Sequence, residues 1–487
     1  MMAGRLALAA VLTATLAALI RPQPLLAEAV RPRVFVLTDI GNEPDDQMSL
    51  VRLLLYANEI EIEGIAATTS VWQRNRASPE IAASVIDGYG LALPHLRANA
   101  RGWPDVATLR ARLTTGVAGY GLAAIHPDHP SPGALALLAA ARRADTGPLW
   151  VSVWGGTATL AEALQAARLT MSPTDLTALI ARLRVYAIGD QDDAGAWLRR
   201  EFPGLFMIVS PSSQDGGDYA RATWTGISGD RYYRNGEGAD FTKVSNAWLD
   251  RAIRKGPLGA HYPRYLFIME GDTPAFLGLI PNGLNAPEHP DWGGWGGRYV
   301  LRQPSGESRP IWTQGGDSFM RTTSADTVNG HTSDQATIWR WREAFQNDFA
   351  ARIDWTIQPH ARANHPPEVV IDGAEGDAPL RRAAHTGSRL AFDARASRDP
   401  DHQALDFRWF VYGEAGFTGA APSAQLRIER ATSPRPAITV TARCAPAWLP
   451  LAPCPKTNAV HLILAVTDHG SPPLTRYRRI ILEISDD

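Results

Sequence analysis

Three aspartates near the start of the chain, Asp39, Asp45 and Asp46, have the residue types and spacing of ligands for a hard cation. Asp39 follows a short, β-branched apolar run at residues 34–38, which is typical of a buried strand. Apolar residues recur at helical spacing from Met48, so Asp45 and Asp46 open a predicted helix. In open α/β sheets, ligands bind at the carboxyl ends of the strands. Carboxylates gathered there repel one another unless a cation or shared protons relieve them, and calcium prefers such oxygen ligands.

A purely structural role for the same residues is the competing interpretation. Asp45 and Asp46 also favour a helix N-terminus through the backbone dipole, and Asp39 then caps a turn. The sequence of this motif does not separate the two interpretations.

The segment from Thr38 to Asp46 resembles the N-terminal signature of inosine–uridine-type nucleoside hydrolases. In that signature, an aspartate at the end of the first strand is followed by a glycine loop and an Asp-Asp pair. The loop of this chain is two residues longer. With later motifs, this departure indicates a divergent branch, the nucleoside-hydrolase-like proteins known as cellulose-binding, in which that domain precedes a small C-terminal domain. The resemblance extends over approximately residues 33–300.

The resemblance implies a calcium site with four ligands, which are Asp39, Asp46, the Ala158 carbonyl and Asp272. The turn from Gly155 resembles the Gly-Pro-Leu-Thr-Asn-Leu-Ala turn of the family, where a backbone carbonyl binds the metal, although a glycine-rich structural turn is the alternative. Asp272 matches the aspartate of a late His-Asp-Pro turn. By the same resemblance, Asp39 is the base that takes a proton from water.

Further catalytic and substrate roles follow from the same resemblance. Asp45 would hold a sugar hydroxyl. Gly271 replaces the histidine that helps the leaving group in some members, and Glu270 is a plausible replacement acid. Gln191 and Asp192 stand, by position only, where relatives bind the sugar with a Glu-Phe-Asn stretch, and capping of the next helix is the competing role for Asp192. Because the ribose motifs are missing, the substrate need not be a ribonucleoside.

A loop rich in glycine and tryptophan, residues 289–299, is the most unusual stretch of the chain. Trp292 and Trp295 offer flat surfaces that suit sugar rings or bases. Arg298 has a guanidinium group that can bind a carboxylate through two hydrogen bonds. A structural loop anchored by its tryptophans is the alternative interpretation.

The elements that must position these residues form an α/β domain with a mostly parallel sheet and flanking helices, like that of nucleoside hydrolases. Strands are predicted at 34–38, 60–68, 149–154, 183–188, 205–209 and 265–269, with helices between them. A helix is predicted within residues 333–356. We place this domain at residues 33–360 and a small, all-β immunoglobulin-like sandwich of about seven strands at 366–487.

Residues 1–29 have the pattern of a signal peptide, with Arg5, an apolar stretch at 6–20 and an Ala-x-Ala-type cleavage site. The sequence therefore predicts a periplasmic or secreted protein without a stable membrane span after cleavage. Cys444 and Cys454 could form a disulfide in such a compartment. The formal net charge of −2 argues against a nucleic-acid partner.

We therefore predict a calcium-dependent glycosyl hydrolase that cleaves an N- or O-linked furanoside by metal-activated water. Its partner would be a sugar-containing small molecule, an oligosaccharide or a polysaccharide. The alternative is a non-catalytic carbohydrate-binding protein that retains the hydrolase fold.

Overall fold

The computed structural model describes residues 31–143, 147–211, 222–228, 239–266, 268–314, 324–416, 423–446 and 453–486. The predicted signal peptide lies outside the described residues. No helix among the described residues is long and apolar enough to cross a membrane.

The described residues of the first domain contain ten strands. They are β1 (Arg33–Thr38), β2 (Glu61–Ala67), β3 (Leu113–Thr115), β4 (Leu149–Val153), β5 (Leu183–Ala187), β6 (Phe206–Val209), β7 (Val300–Arg302), β8 (Ile311–Thr313), β9 (Asp326–Val328) and β10 (His331–Ser333).

The helices of the described residues all lie in the first domain and the segment that follows it. The α-helices are α1 (Asp45–Leu54), α2 (Pro79–Asn99), α3 (Val106–Ala111), α4 (Pro132–Arg142), α5 (Ala158–Thr170), α6 (Pro173–Ala181), α7 (Ala194–Glu201), α8 (Asn246–Ala252), α9 (Gly256–Gly259), α10 (Pro274–Leu277), α11 (Ala336–Trp339) and α12 (Arg342–Asp354). Short 3₁₀ helices occur at Leu122–Ala124, Thr223–Ile227, Thr242–Val244, Pro290–Trp292 and His360–Arg362.

The first domain is built around an eight-stranded sheet in the order β3-β2-β1-β4-β5-β6-β8-β7. All of its paired neighbours are parallel except β7 and β8. The buried side chains of β1 alternate between two hydrophobic clusters, with Val34 and Val36 in one and Phe35 and Leu37 in the other. Both faces of the sheet are therefore covered, as expected of a mostly parallel sheet.

Five of the six strands predicted for this domain are present, but the predicted strand at 265–269 is wrong. Residues 265, 266, 268 and 269 have no strand conformation. The free edge of β6 is instead occupied by β8, through the pairing of Ile208 with Trp312. Ile268 and Met269 are apolar because they are buried in the core, which explains why their segment resembles a strand in sequence.

In the C-terminal domain, the part of the chain that the structure describes forms seven strands in two sheets. They are β11 (Leu380–His385), β12 (Arg389–Ala391), β13 (Leu405–Tyr412), β14 (Gln425–Glu429), β15 (Ala437–Ala442), β16 (Thr457–Asp468) and β17 (Thr475–Ser485). One sheet has the order β11-β17-β16-β13 and the other β12-β15-β14. Alternating apolar residues of both sheets form one buried cluster, as in a sandwich. Cys444 and Cys454 form a disulfide.

The two domains share buried contacts. Tyr412 and Tyr477 of the C-terminal domain belong to the larger hydrophobic cluster of the first domain. The connecting residue Asn364 is buried and donates to the Asp468 carboxylate, while the ring of His365 lies between Asp401 and Asn99. The connection is therefore fixed by hydrogen bonds to both domains.

Candidate metal centre

Four buried aspartates meet at the carboxyl end of the central strand. Asp39 directly follows β1, and Asp45 and Asp46 are the first two residues of α1. Asp272 arrives from the segment before α10, and carboxylate oxygens of Asp45, Asp46 and Asp272 lie within 4.8 Å of one another. Each of the four side chains is at least nine-tenths buried, with exposed fractions of 1–7%.

Hydroxyl groups and backbone N–H groups donate hydrogen bonds to this cluster. The Thr38 hydroxyl donates to Asp46, and the Ser70 hydroxyl donates to the Asp39 carboxylate. Within the described part of the chain, no lysine or arginine forms an ion pair with any of the four aspartates. The negative charge is therefore not balanced by basic side chains of these residues.

Burial and mutual repulsion make ionisation of the cluster unfavourable. Burial raises the pKa of Asp39 to about 6. Burial, with the charges of Glu43 and Asp39, raises the pKa of Asp45 to about 8. The pKa values of Asp46 and Asp272 are raised well above their usual range, first by burial and then by the neighbouring carboxylates. A bound cation would reverse this preference.

The donor set fits a calcium ion. The Oδ2 atom of Asp272 is buried and has no hydrogen-bond partner among the described residues. An unpaired buried carboxylate oxygen is costly, and a hard cation that accepts oxygen ligands in a flexible arrangement satisfies it. Asp45, Asp46 and Asp272 have carboxylate oxygens that are close enough together to hold one ion, and the role of Asp39 as a ligand stays a prediction.

Two glycines allow the carboxylates to approach neighbouring turns. A Cβ atom on Gly155 would lie 2.7 Å from Oδ1 of Asp39. A Cβ atom on Gly271 would lie 2.9 Å from Oδ2 of Asp45 and 3.0 Å from the ring of Trp224. A side chain at position 271 would therefore crowd Asp45 and Trp224.

Ala158, the predicted carbonyl ligand, is the first residue of α5. Its backbone N–H donates to Asp192 over 2.8 Å. Carbonyl groups of a helix point along its axis towards the C-terminus, so this position does not by itself direct the Ala158 carbonyl at the aspartates. Its role as a ligand stays a prediction.

Glu270, the predicted replacement acid, is fully buried in an ion pair with Arg52. The Arg52 Nε atom is 2.5 Å from Glu270 Oε2, and the hydroxyls of Tyr262 and Thr273 also donate to the carboxylate, over 2.6 and 2.8 Å. Donors therefore occupy both carboxylate oxygens of Glu270, and Arg52 supplies the opposite charge. This geometry argues against a proton-donating role and makes Glu270 a positioning residue for the turn that carries Asp272.

The two residues predicted to contact substrate after β5 have structural partners. Asp192 accepts from the Thr157 hydroxyl and from the backbone N–H groups of Ala158 and Ala194, and so it caps the starts of α5 and α7. Gln191 donates to the carbonyl of Trp154 over 2.5 Å. These hydrogen bonds of Asp192 match helix capping, which is the alternative to sugar binding that the sequence offers.

The tryptophan-rich loop lies against the C-terminal domain. Trp295 and Arg298 have no exposed surface, and the Arg298 guanidinium pairs with Asp326 over 2.9 Å. Trp292 is half-buried and stacks on His289, with ring centroids 3.8 Å apart. The burial of Trp295 and Arg298 argues against direct substrate contact, and it matches the alternative of a structural loop.

Our sequence analysis missed Ser70 and Glu43 as neighbours of the site. Ser70 follows β2, and a polar residue just after a parallel strand is the signal that could have identified it. Glu43 belongs to the lengthened loop, and its half-buried carboxylate raises the pKa of Asp39 and Asp45 by charge repulsion.

We expect Asp272→Asn to stabilise the metal-free protein and to abolish its stabilisation by calcium. Because the pKa of Asp272 is raised on folding, its ionisation costs stability, and this cost grows as the pH rises from 5 to 8. Removing the charge should gain roughly 2 kcal/mol at pH 8 without metal. Scanning calorimetry with a chelator and with calcium measures both effects. The exposed Asp128→Asn is the control, and an unchanged calcium response in Asp272→Asn would contradict the site.

Comparisons with known proteins agree with this architecture. Residues 33–299 match the family model described as "Cellulose-binding Sde182, nucleoside hydrolase-like domain", and residues 389–484 match "Cellulose-binding protein Sde0182, C-terminal domain". A solved structure of a nucleoside hydrolase-related hypothetical protein from Saccharophagus degradans, described as associated with carbohydrate metabolism, is 32% identical. It covers 93% of this chain and 100% of its own, with a TM-score of 0.75.

Other similarities are weaker. The type III effector XopQ, solved with adenosine diphosphate ribose, is 13% identical over 68% of this chain and 96% of its own, with a TM-score of 0.33. A score of that size does not establish a common fold. No curated protein matches the chain. The predicted family resemblance and fold class are confirmed by the family models and the Saccharophagus structure.

Proposed function

Because the chain belongs to the family of nucleoside hydrolase-like proteins described as cellulose-binding, we propose that it is an exported calcium-dependent glycosyl hydrolase. Its substrate would be an N- or O-linked furanoside. The observation that carries this proposal is the buried cluster of Asp39, Asp45, Asp46 and Asp272, with an unpaired oxygen on Asp272. A protein that needed only a stable fold would gain by neutralising these charges.

The roles of the side chains follow from their positions. A calcium ion held by these carboxylates would supply one effect, a lower pKa of a water molecule at the site. Asp39 takes the proton of the attacking water at its carboxylate, which Ser70 orients through a hydrogen bond. Asp45, the least buried of the four aspartates, holds a sugar hydroxyl. Water then attacks the anomeric carbon directly, as in inverting glycosidases.

Protonation of the leaving group requires a different residue from Glu270, which is held in its ion pair with Arg52. We assign this step to Glu43. Its side chain lies in the loop between Asp39 and α1, it is half-buried, and burial raises its pKa. A carboxyl group with a raised pKa is protonated to a greater extent near neutral pH than an ordinary glutamate, so it can serve as a general acid there.

A non-catalytic carbohydrate-binding protein is the second candidate. The description of the family as cellulose-binding favours it, and so does the near-complete burial of the four aspartates. Release of free sugar distinguishes the hydrolase from the carbohydrate-binding protein.

Release of free sugar by the purified mature protein tests the proposal. The panel comprises nucleosides, aryl furanosides and plant or bacterial oligosaccharides, with and without a chelator. We expect turnover that the chelator abolishes and that calcium restores. Asp46→Asn should be inactive, and Glu43→Gln should lose activity chiefly on substrates with poor leaving groups, since activated aryl leaving groups need no proton.

Two results would contradict the hydrolase. One is turnover that survives both the chelator and Asp46→Asn, which would assign the activity to a contaminant. The other is the absence of turnover on the whole panel while calcium and polysaccharide still bind. The second result would support the carbohydrate-binding function.

A further inference from the structure

An exposed aromatic residue stands beside the acidic cluster. Among the tryptophans that the structure describes, only Trp72 is exposed, with 46% of its surface accessible. An exposed indole beside a candidate site offers a flat apolar surface to a ligand.

Hydrogen bonds fix the segment of Trp72 to the acidic loop. The backbone N–H of Trp72 donates to the Ser70 hydroxyl over 3.0 Å, and the same hydroxyl binds the Asp39 carboxylate. The neighbouring Gln73 donates to the backbone carbonyl of Asp39 over 3.0 Å. The backbone N–H of Val71 donates to the carbonyl of Gln191, over 2.6 Å. Trp72 is therefore held at the same edge of the sheet as the candidate metal centre.

A second aromatic residue, Tyr120, lies in the adjoining loop after β3. The Thr69 hydroxyl donates to the carbonyl of Gly119 over 2.7 Å, which joins the two loops. The Arg74 guanidinium lies over the Tyr120 ring at 4.4 Å. The Tyr120 hydroxyl is buried and has no hydrogen-bond partner among the described residues. A buried hydroxyl without a partner is costly in the free protein, and a ligand that bears hydroxyl groups would relieve that cost.

We propose that Trp72 and Tyr120 form one wall of the substrate site and bind the sugar ring next to the bond that is cleaved. The inference rests on the proposed function, because it uses the same site. Asp45 and the metal ligands would hold the sugar that is released, which places its neighbour closer to solvent, where Trp72 lies. A sugar ring offers an apolar C–H face for the indole and a hydroxyl edge for Tyr120. Because the Tyr120 hydroxyl has no hydrogen-bond partner among the described residues, the substrate class expected at this wall is an oligosaccharide in preference to a nucleoside.

Calorimetric titration of the calcium-loaded full-length protein tests this wall. The probes are cellotetraose and an arabinan-derived tetrasaccharide, with uridine as the nucleoside. We expect an oligosaccharide to bind more tightly than uridine. Trp72→Ala should weaken that binding about tenfold, since a lost aromatic stack is worth somewhat more than 1 kcal/mol. Trp72→Phe should retain most of the affinity, and Tyr120→Phe should lose about fivefold.

The controls separate this inference from the proposed function. Leu91→Ala removes another exposed apolar side chain, on α2, and should bind like the wild type. Calcium affinity should be the same in all variants. If sugar binding depends on Trp72 while no turnover is found, the proposed binding wall is supported and the proposed hydrolase function is contradicted. Two results would contradict the proposed binding wall. One is calcium-dependent turnover together with unchanged sugar binding in Trp72→Ala, and the other is tighter binding of uridine than of both oligosaccharides.

Discussion

Replacing Glu270 with glutamine is expected to lower the free energy of unfolding by about 3–5 kcal/mol, because it leaves a buried arginine without its counter-charge. Arg52 has no exposed surface, and its guanidinium is bound by Glu270, Gln346 and the carbonyl of Phe345. Only the first of these carries a negative charge. Chemical denaturation monitored by fluorescence measures the loss.

The same variant decides whether Glu270 takes part in catalysis. A positioning residue that is mutated lowers stability and activity together, while the shape of the pH profile for kcat stays the same. Loss of a general acid instead removes the alkaline limb of that profile. Glu288→Gln is the matched control, since Glu288 is 43% exposed in its pair with Arg184. Such a pair is worth less than about 1 kcal/mol. If Glu270→Gln lowers the free energy of unfolding by a similarly small amount, the buried pair of Arg52 and Glu270 does not contribute the stability that we expect.

The acidic motif could be predicted from the sequence because its parts are close together in the chain. Asp39 ends an apolar strand and Asp45 opens an amphipathic helix, so the local patterns of residues 34–55 already place both at the ligand-binding edge. The strands β1, β2, β4, β5 and β6 were predictable for the same reason. Each is a short apolar run between turn residues.

The functions of isolated polar residues could not be predicted, since their partners are distant in sequence. Glu270 meets Arg52 across 218 positions, and Arg298 meets Asp326 across 28. No local pattern shows whether a carboxylate faces an arginine or a substrate. The apolar segment before Glu270 was equally ambiguous, because buried loop residues and strand residues have the same composition.

The acidic cluster is connected to the C-terminal domain through α1 and the residues that follow it. Asp45 and Asp46 are the first two residues of this helix, and Arg52 lies in its last turn, where it pairs with Glu270. Tyr56, one turn further, donates to Asp348 of α12 over 2.7 Å, and Asp348 pairs with Arg476 of β17 over 2.6 Å. The sandwich therefore contributes to the support of the acidic cluster through side chains that are buried at the junction.

Asp348→Asn is expected to destabilise the protein by about 3 kcal/mol near neutral pH, and the loss should shrink in acid. Burial alone raises the pKa of the Asp348 carboxyl, but the guanidinium groups of Arg476 and Arg352 outweigh it and lower the pKa to about 2. An unfolded aspartate titrates near 4. The pKa of Asp348 is therefore lower in the folded protein than in the unfolded one. Its ionised carboxylate stabilises the fold fully when the pH is above the unfolded pKa, and this stabilisation disappears as the pH falls from about 4 to about 2.

The difference in free energy of unfolding between wild type and Asp348→Asn, measured from pH 6 to pH 3, tests this sign. We expect it to be constant above about pH 5 and to narrow below that. Asp105→Asn, which is 68% exposed in its pair with Arg97, should show almost no difference at any pH. If the difference in free energy of unfolding between wild type and Asp348→Asn widens in acid, the effect of burial on the pKa of Asp348 outweighs that of the two arginines. In that case, the junction between the domains would depend on apolar packing around Tyr412 and Tyr477 and not on this buried charge network.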